Sequence, residues 1–160
     1  PGEAKGQIIE MMPKALKDKV IGTVDISMEA SSKDLANLGK DLAHEEELSR
    51  EKVLADRLKE AVLRGYPAAH GLTEVGNALK DGRVNYLLIS EGFTLPGMIC
   101  TNCHRIDSEG EKCPTCGGEA AALSLEGLYE LAERMGAEVV LVEDSAFLES
   151  LGNIGAILRY

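Results

Sequence analysis

The sequence predicts an α/β protein, a three-layer α/β/α sandwich carrying an inserted zinc-ribbon minidomain. Three observations carry that prediction. Val84 to Ser90 is a near-continuous apolar run, the mark of a strand covered on both faces, and Glu138 to Val142 reads as a second buried strand. Around them helical and strand-like patterns alternate, which is the grammar of helices layered over a sheet. All four cysteines fall within seventeen residues, as Cys100-Thr101-Asn102-Cys103 and Cys113-Pro114-Thr115-Cys116.

Taken in order, residues 1–28 open with a short apolar helix, Ile8 to Leu16, crossed by Pro13, and then a strand over Val20–Ile26. Together these bury too little for a core of their own. They read as the end of a preceding domain or as an edge appended to this one. Asp25 has no visible acidic partner and reads as a cap or ladder-end residue, not a catalytic acid. The start at Pro1, without an initiator Met, leads us to expect a part of a longer chain.

Residues 31–64 form the longest helical stretch, with Ser31 or Ser32 as cap and Gly39 the only interior breaker. At about 100° per residue, Leu35, Leu38, Leu42 and Val53 share one face, while Leu54, Leu58, Ala61 and Val62 centre roughly 140° away. Between the two stripes runs His44-Glu45-Glu46-Glu47. This is either a solvated acidic turn or a stretch left bare for a partner, and the sequence weighs the two equally.

Gly65-Tyr66-Pro67 ends that helix. A short one runs from Gly71-Leu72 through Leu79, closed by Asp81-Gly82. After the strand at Val84–Ser90, the cysteine segment leaves from Pro96-Gly97. Ser124 caps an amphipathic helix with Leu125, Leu128, Leu131, Ala132 and Met135 inside and Gly136 as its left-handed terminator. Asp144 caps a short helix to Leu151, and Gly155 to Tyr160 is the last strand. Period-two alternation there puts Ile157 and Arg159 on one face and Leu158 and Tyr160 on the other. One of those faces is expected to be free.

The cysteine spacing is a chemical statement. Each Cys-x-x-Cys can curl into a knuckle that aims two thiolates at one point, and two knuckles complete a tetrahedral Zn²⁺ site. Gly117 and Gly118 suit the tight return, and Asp107 to Glu111 reads as the hairpin tip. Disulfides would need a secreted chain, and nothing marks this one as such. A thioredoxin-like pair would not come twice, and iron–sulfur sites use other spacings as a rule. Zinc held by Cys100, Cys103, Cys113 and Cys116 has no open position, so it is expected to be structural. His104 reads as a neighbour of that site or a surface residue, not a ligand. The ribbon, residues 96–122, is expected to lie outside the sandwich core.

Composition narrows function further. With 44% hydrophobic and 28% charged residues the chain has the make-up of a soluble globular protein. A net charge of −10 without a basic cluster disfavours strong direct nucleic-acid binding. No apolar run approaches the length of a membrane span, and no signal peptide is visible, so no membrane role is expected. The Gly-x-x-x-x-Gly-Lys, Gly-x-Ser-x-Gly and His-Glu-x-x-His motifs are absent, and His44, His70 and His104 are scattered. The chain is therefore expected to bind or scaffold and not to be an enzyme.

Several stretches carry a family resemblance. Lys19 to Ser27 (KVIGTVDIS), Leu48 to Lys52 (LSREK), Val84 to Glu91 (VNYLLISE), Leu128 to Ala137 (LYELAERMGA) and Gly155 to Tyr160 (GAILRY) resemble the C-terminal part of archaeal and eukaryotic class 1 peptide chain release factors. The likeness covers essentially the whole chain in order. The cysteine insertion is similar to the archaeal branch, whereas Pelota-type ribosome rescue factors share the closing helix–strand–helix–strand and generally lack the cysteines. The resemblance implies that residues 1–28 are the tail of a central domain and 29–160 a C-terminal domain that docks a translational GTPase of the release-factor or elongation-factor type. Stop-codon reading and the Gly-Gly-Gln loop that promotes peptidyl-tRNA hydrolysis would lie in other domains. Gly117-Gly118-Glu119 is not that loop. The implied setting is a cytoplasmic translation factor that meets the ribosome through the full-length protein. The expected docking residues are Glu45, Glu46 and Glu47 on the long helix and Gly155, Ile157, Leu158, Arg159 and Tyr160 on the final strand. The alternatives are a Pelota-like rescue domain or an RNA-binding zinc-ribbon α/β domain.

Overall fold

The computed structural model describes residues 2–160 except Met28, 93–96, 108–109 and Asp144, and for residues 2–4 the backbone alone. The chain divides into two compact units, 1–50 and 51–160.

In the first unit, α1 (Gly2–Met11) and α2 (Lys14–Lys17) flank Pro13. The apolar helix expected over Ile8–Leu16 is thus broken in two, because Pro13 has no N–H to continue the ladder. No strand forms over Val20–Ile26. A strand needs a neighbouring ladder, and none of the described residues in this unit supplies one. Asp25 is exposed and forms an ion pair with Lys5. None of the described residues before Leu54 is buried.

The long helix α3 (Ser32–Arg64) begins in a reciprocal cap. Asp34 Oδ2 accepts from the Ser31 N–H (2.9 Å) and hydroxyl (2.7 Å), while Ser31 Oγ accepts from the Asp34 N–H (3.3 Å). The Ser31 hydroxyl, and then its N–H, hold the Asp34 carboxyl below its ordinary pKa of 3.8. Of the two apolar stripes expected on this helix, the second is buried, while the first is covered only in part, with Leu38 and Leu42 half-buried and Leu42 against Gly22. Leu54, Leu58 and Ala61 are buried, whereas Leu35 and Val53 remain 51% and 64% exposed.

The second unit is mixed α/β. Strands β1 (Ala68–His70), β2 (Val84–Ser90), β6 (Glu138–Val142) and β7 (Ile154–Leu158) form a sheet in the order β1-β7-β2-β6. β2 and β6 are parallel, and β7 runs antiparallel to both its neighbours. Period-two alternation sorts side chains between two cores. Leu87, Ile89, Ile154 and Ala156 pack with α4 (Leu72–Lys80) and α5 (Leu125–Arg134). Leu88, Val140, Val142 and Ile157 pack with Leu54 and Leu58 of α3 and Leu148 of α6 (Ala146–Ser150). Helices therefore cover both faces. Gly155 permits the close seat of α3, because a Cβ there would lie 2.5 Å from Leu58 Cδ2.

Two local expectations shift. Leu125 stays 37% exposed at the start of α5, where its position precedes the buried stripe. Ser124 Oγ accepts from the Gly127 N–H (3.0 Å), as a cap should. Ser145 caps α6 by accepting from the Leu148 N–H (3.2 Å). The expected cap Asp144 and the exit point Pro96 lie outside the described residues.

A second, three-stranded antiparallel sheet is built from β3 (Met98–Cys100), β4 (Ile106–Asp107) and β5 (Ala120–Ala122), in the order β4-β3-β5. This cysteine-bearing module is not outside the sandwich core, contrary to expectation. Ile106 is fully buried and Leu123 is 6% exposed, both within the α4/α5 core. Gly76 of α4 makes room, since a Cβ there would sit 2.7 Å from Ile106 Cβ. The short strands cannot cover their own apolar side chains and borrow cover from α4.

Candidate metal centre

β3 delivers Cys100 to the mouth of the first knuckle. The chain turns so that the His104 N–H donates to the Cys100 carbonyl (3.0 Å), and the Cys103 N–H points at Cys100 Sγ (3.4 Å). The second knuckle repeats the move, with the Gly117 N–H on the Cys113 carbonyl (2.9 Å). His104 and Gly117 occupy equivalent positions, each just past the second cysteine, and both are left-handed (φ 57° and 70°). Glycine takes that conformation freely, while His104 is held in it by its surroundings. The Cys113 N–H donates to the Gly118 carbonyl (2.8 Å), and Gly118 packs so closely that a Cβ would lie 3.3 Å from both Cys100 and Cys116 Sγ.

The four sulfurs lie within 4.8 Å of one another. Two pairs cross between knuckles, Cys100 with Cys116 and Cys103 with Cys113, each at 3.5 Å. A tetrahedral zinc with Zn–S bonds of about 2.3 Å sets its sulfurs about 3.8 Å apart. Four soft thiolate donors with that spacing fit zinc. The surroundings already favour ionisation at two of them. The Cys116 N–H, then the Thr115 N–H, hold the Cys113 thiol down to about 6, and the Cys103 N–H lowers Cys100. At Cys103 the Arg105 N–H pulls downward, but desolvation and the other three sulfurs prevail and raise it to about 11. Four cysteine sulfurs gathered at this spacing could bind a divalent cation, which takes them as thiolates.

Neighbouring side chains tie the knuckles down. Arg134, at the end of α5, donates from Nη1 to His104 Nε2 (2.9 Å). That nitrogen's lone pair is thereby occupied, so His104 is a brace and not a ligand. Arg105 Nη1 donates to Thr115 Oγ1 across the knuckles (3.0 Å), with its Nε 3.4 Å from Asp107. Asn102 Nδ2 points at Cys116 Sγ (3.8 Å). Sequence spacing alone indicates the cysteines. It gives no sign of Arg134, which is thirty residues from its partner.

The expected docking residues are distributed otherwise. Glu45, Glu46 and Glu47 are exposed on α3 in the 1–50 unit. β7 is paired on both edges and helices pack on both faces of the sheet, so neither face of the strand is free; Gly155 and Ile157 are buried, Ile157 at 3% exposure. Leu158 is half-buried and its N–H donates to the Pro67 carbonyl (3.1 Å). Arg159 and Tyr160 lie beyond the strand, and Tyr160 is 72% exposed. Among the described residues Arg159 pairs with no acid. It donates from Nη1 to the Gly82 carbonyl (3.1 Å) and from Nη2 to the Gly136 carbonyl (2.6 Å). Those carbonyls follow α4 and α5, so one guanidinium serves the C-terminal ends of two helices. Beside it Arg57, Glu60, Tyr66 and Pro67 join Leu158 and Arg159 in lining a surface cavity of about 360 Å³.

The eRF1 domain 3 family profile matches residues 48–160. Over its whole length the chain is 32% identical to peptide chain release factor subunit 1 of Pyrococcus abyssi, covering 46% of that protein. The C-terminal domain of a peptide chain release factor from Methanosarcina mazei superposes with a TM-score of 0.58 at 26% identity, covering 85% of this chain and 98% of that one. Archaeoglobus fulgidus Pelota superposes with a TM-score of 0.54, also at 26% identity, over 100% of this chain and 47% of its own. The chain thus spans about half the length of the curated relatives it matches.

Proposed function

The chain belongs to the eRF1 domain 3 family, and on that footing we propose that it is the C-terminal part of a translation termination factor that recruits a translational GTPase to the ribosome. The observation that carries this reading is similarity to release factor subunit 1 along the whole chain, together with the domain 3 match. Stop-codon reading and peptidyl-tRNA hydrolysis are assigned to domains outside these residues. In this reading residues 1–28 are the tail of the central domain and 29–160 the docking domain. The lack of any buried residue among those described before Leu54 supports a segment whose core partner lies elsewhere.

The four cysteines hold one structural zinc, and residues 96–122 form a ribbon around it. Bound zinc would cross-link the two knuckles. The thiolates, the Arg105–Thr115 contact and the Arg134–His104 contact orient the site. Docking falls to Glu45, Glu46 and Glu47 in one unit and to Leu158, Arg159 and Tyr160 in the other, with Gly155 and Ile157 supporting from beneath. A cytoplasmic setting goes with this role. Among the described residues no helix is long and apolar enough to cross a membrane.

A binding measurement between the zinc-loaded chain and translational GTPases of the elongation-factor type tests this. Tyr160→Ala, at a site that contributes nothing to the core, is expected to weaken the complex by about 2 kcal/mol. Absence of GTPase binding by the folded wild-type chain would overturn the reading. The likeness to Pelota supports a second reading, a ribosome rescue factor. Release assays on ribosomes with and without a stop codon, using the full-length protein, separate the two.

A further inference from the structure

The four cysteine residues are not equally exposed. Cys100 and Cys113 are buried at 2% and 5% exposure and Cys103 is half-buried, whereas Cys116 is exposed. The Cys116 sulfur lies 3.5 Å from that of Cys100 on the other knuckle. An accessible thiolate with a protected thiolate at its back is the arrangement that turns oxidation into a disulfide without stopping at an over-oxidised acid.

We propose that the cysteine centre is a peroxide-sensitive switch, with Cys116 the sulfur oxidised first and Cys100 the sulfur that resolves it. The inference rests on the metal reading above only for what is released. The Cys116 thiolate attacks one oxygen of hydrogen peroxide; the O–O bond breaks, hydroxide leaves, and a sulfenic acid forms. The Cys100 thiolate then attacks that sulfur; the S–O bond breaks, a second hydroxide leaves, and the Cys100–Cys116 bond closes. Two protons convert the hydroxides to water, so two sulfurs lose two electrons to one peroxide. Cys103 and Cys113, the other 3.5 Å pair, follow with a second peroxide. Four thiolates are thereby consumed, and a bound zinc loses every ligand.

The event is transmitted because the knuckles are not a loose appendage. Arg134 of α5 holds His104, the residue next to Cys103, and Ile106 lies under α4. A change of knuckle geometry therefore reaches both helices on that face of the sheet. Asn102, whose amide donates toward Cys116 Sγ, tempers the nucleophile.

The test treats the full-length, zinc-loaded protein with hydrogen peroxide, following released zinc with a chromogenic chelator. Samples are alkylated at intervals and their disulfides mapped by peptide mass. The expected first product is Cys100–Cys116, appearing with zinc release and reversed by a dithiol plus zinc. Asn102→Ala, which leaves all four ligands in place, is expected to speed that step about two- to threefold, the loss of one weak hydrogen bond. First modification at Cys103 or Cys113, or accumulation of methionine sulfoxide while thiols and zinc persist, overturns the proposal. A protein that binds no zinc overturns the metal reading instead. The order of disulfide formation in that sample still decides between Cys116 and the other sulfurs.

Discussion

Truncating Ile106 should show that the cysteine module and the sandwich share one core. Ile106→Ala deletes three carbon groups from a side chain with no solvent exposure. At about 0.8 kcal/mol per buried methylene the transfer loss is about 2.4 kcal/mol. A cavity cost adds to this, because the wall opposite is Gly76, which has no side chain to swing into the gap. The expected total is about 3–4 kcal/mol, read by urea unfolding followed by circular dichroism of the zinc-loaded chain. Gly76→Ala places a methyl 2.7 Å from Ile106 Cβ and should cost about 1–3 kcal/mol by overpacking. Because alanine keeps Cβ, the double variant relieves only the 3.3 Å contacts with Ile106 Cγ1 and Cδ1, so its loss should fall only slightly below the sum of the two single losses. Chelating zinc from the wild type should likewise lower amide protection in α4 as well as in 97–122. The shared core is refuted if Ile106→Ala costs under about 1 kcal/mol. It is equally refuted if chelation melts the knuckles while α4 keeps its protection unchanged.

Four further outcomes follow from the same contacts. Arg159→Ala frees the carbonyls behind α4 and α5 and should lower stability by about 1–2 kcal/mol, as measured by urea unfolding. Gly155→Ala pushes a methyl to 2.5 Å from Leu58 Cδ2 and should cost about 1–3 kcal/mol in the same assay. Metal analysis should find one zinc per chain, and Cys113→Ser should reduce it, since that thiol is the most readily ionised of the three with shifted values. Asp34 has a folded pKa below 3.8, so its contribution is complete above 3.8 and is lost as pH falls through the lower folded value. Fraying at residues 31–35, followed by NMR, should therefore begin only below pH 3.8, and Asp34→Asn should remove that dependence.

The elements that were legible in the residues are those with a strong local cause. Val84–Ser90 and Glu138–Val142 stand at the bounds expected from their apolar runs. The Ser124 cap and the Gly136 terminator (φ 70°) act where they were read. Although joining the two knuckles takes the pairing of β3 with β5, each Cys-x-x-Cys pair closes its own knuckle through local hydrogen bonds, His104 to Cys100 and Gly117 to Cys113. Those are short-range effects, and a sequence states them directly.

What tertiary structure alone decided is which surfaces meet. Ala68–His70 is a strand only because β7 offers it a ladder, while Val20–Ile26, more apolar, finds none among the described residues and forms no strand. Alternation along Gly155–Tyr160 implies two faces but is silent on whether both are covered; within β7 both are, because α4 and α5 pack on one side of the sheet and α3 and α6 on the other. Arg159 reaches carbonyls 77 and 23 residues away, and Arg134 reaches a histidine thirty residues back. Ile106 belongs to the main core because α4 carries a glycine opposite it, a fact visible only when the two segments are seen packed. Local hydrogen bonding and periodicity depend on neighbours in the chain, whereas burial depends on neighbours in space, and only the folded arrangement determines those.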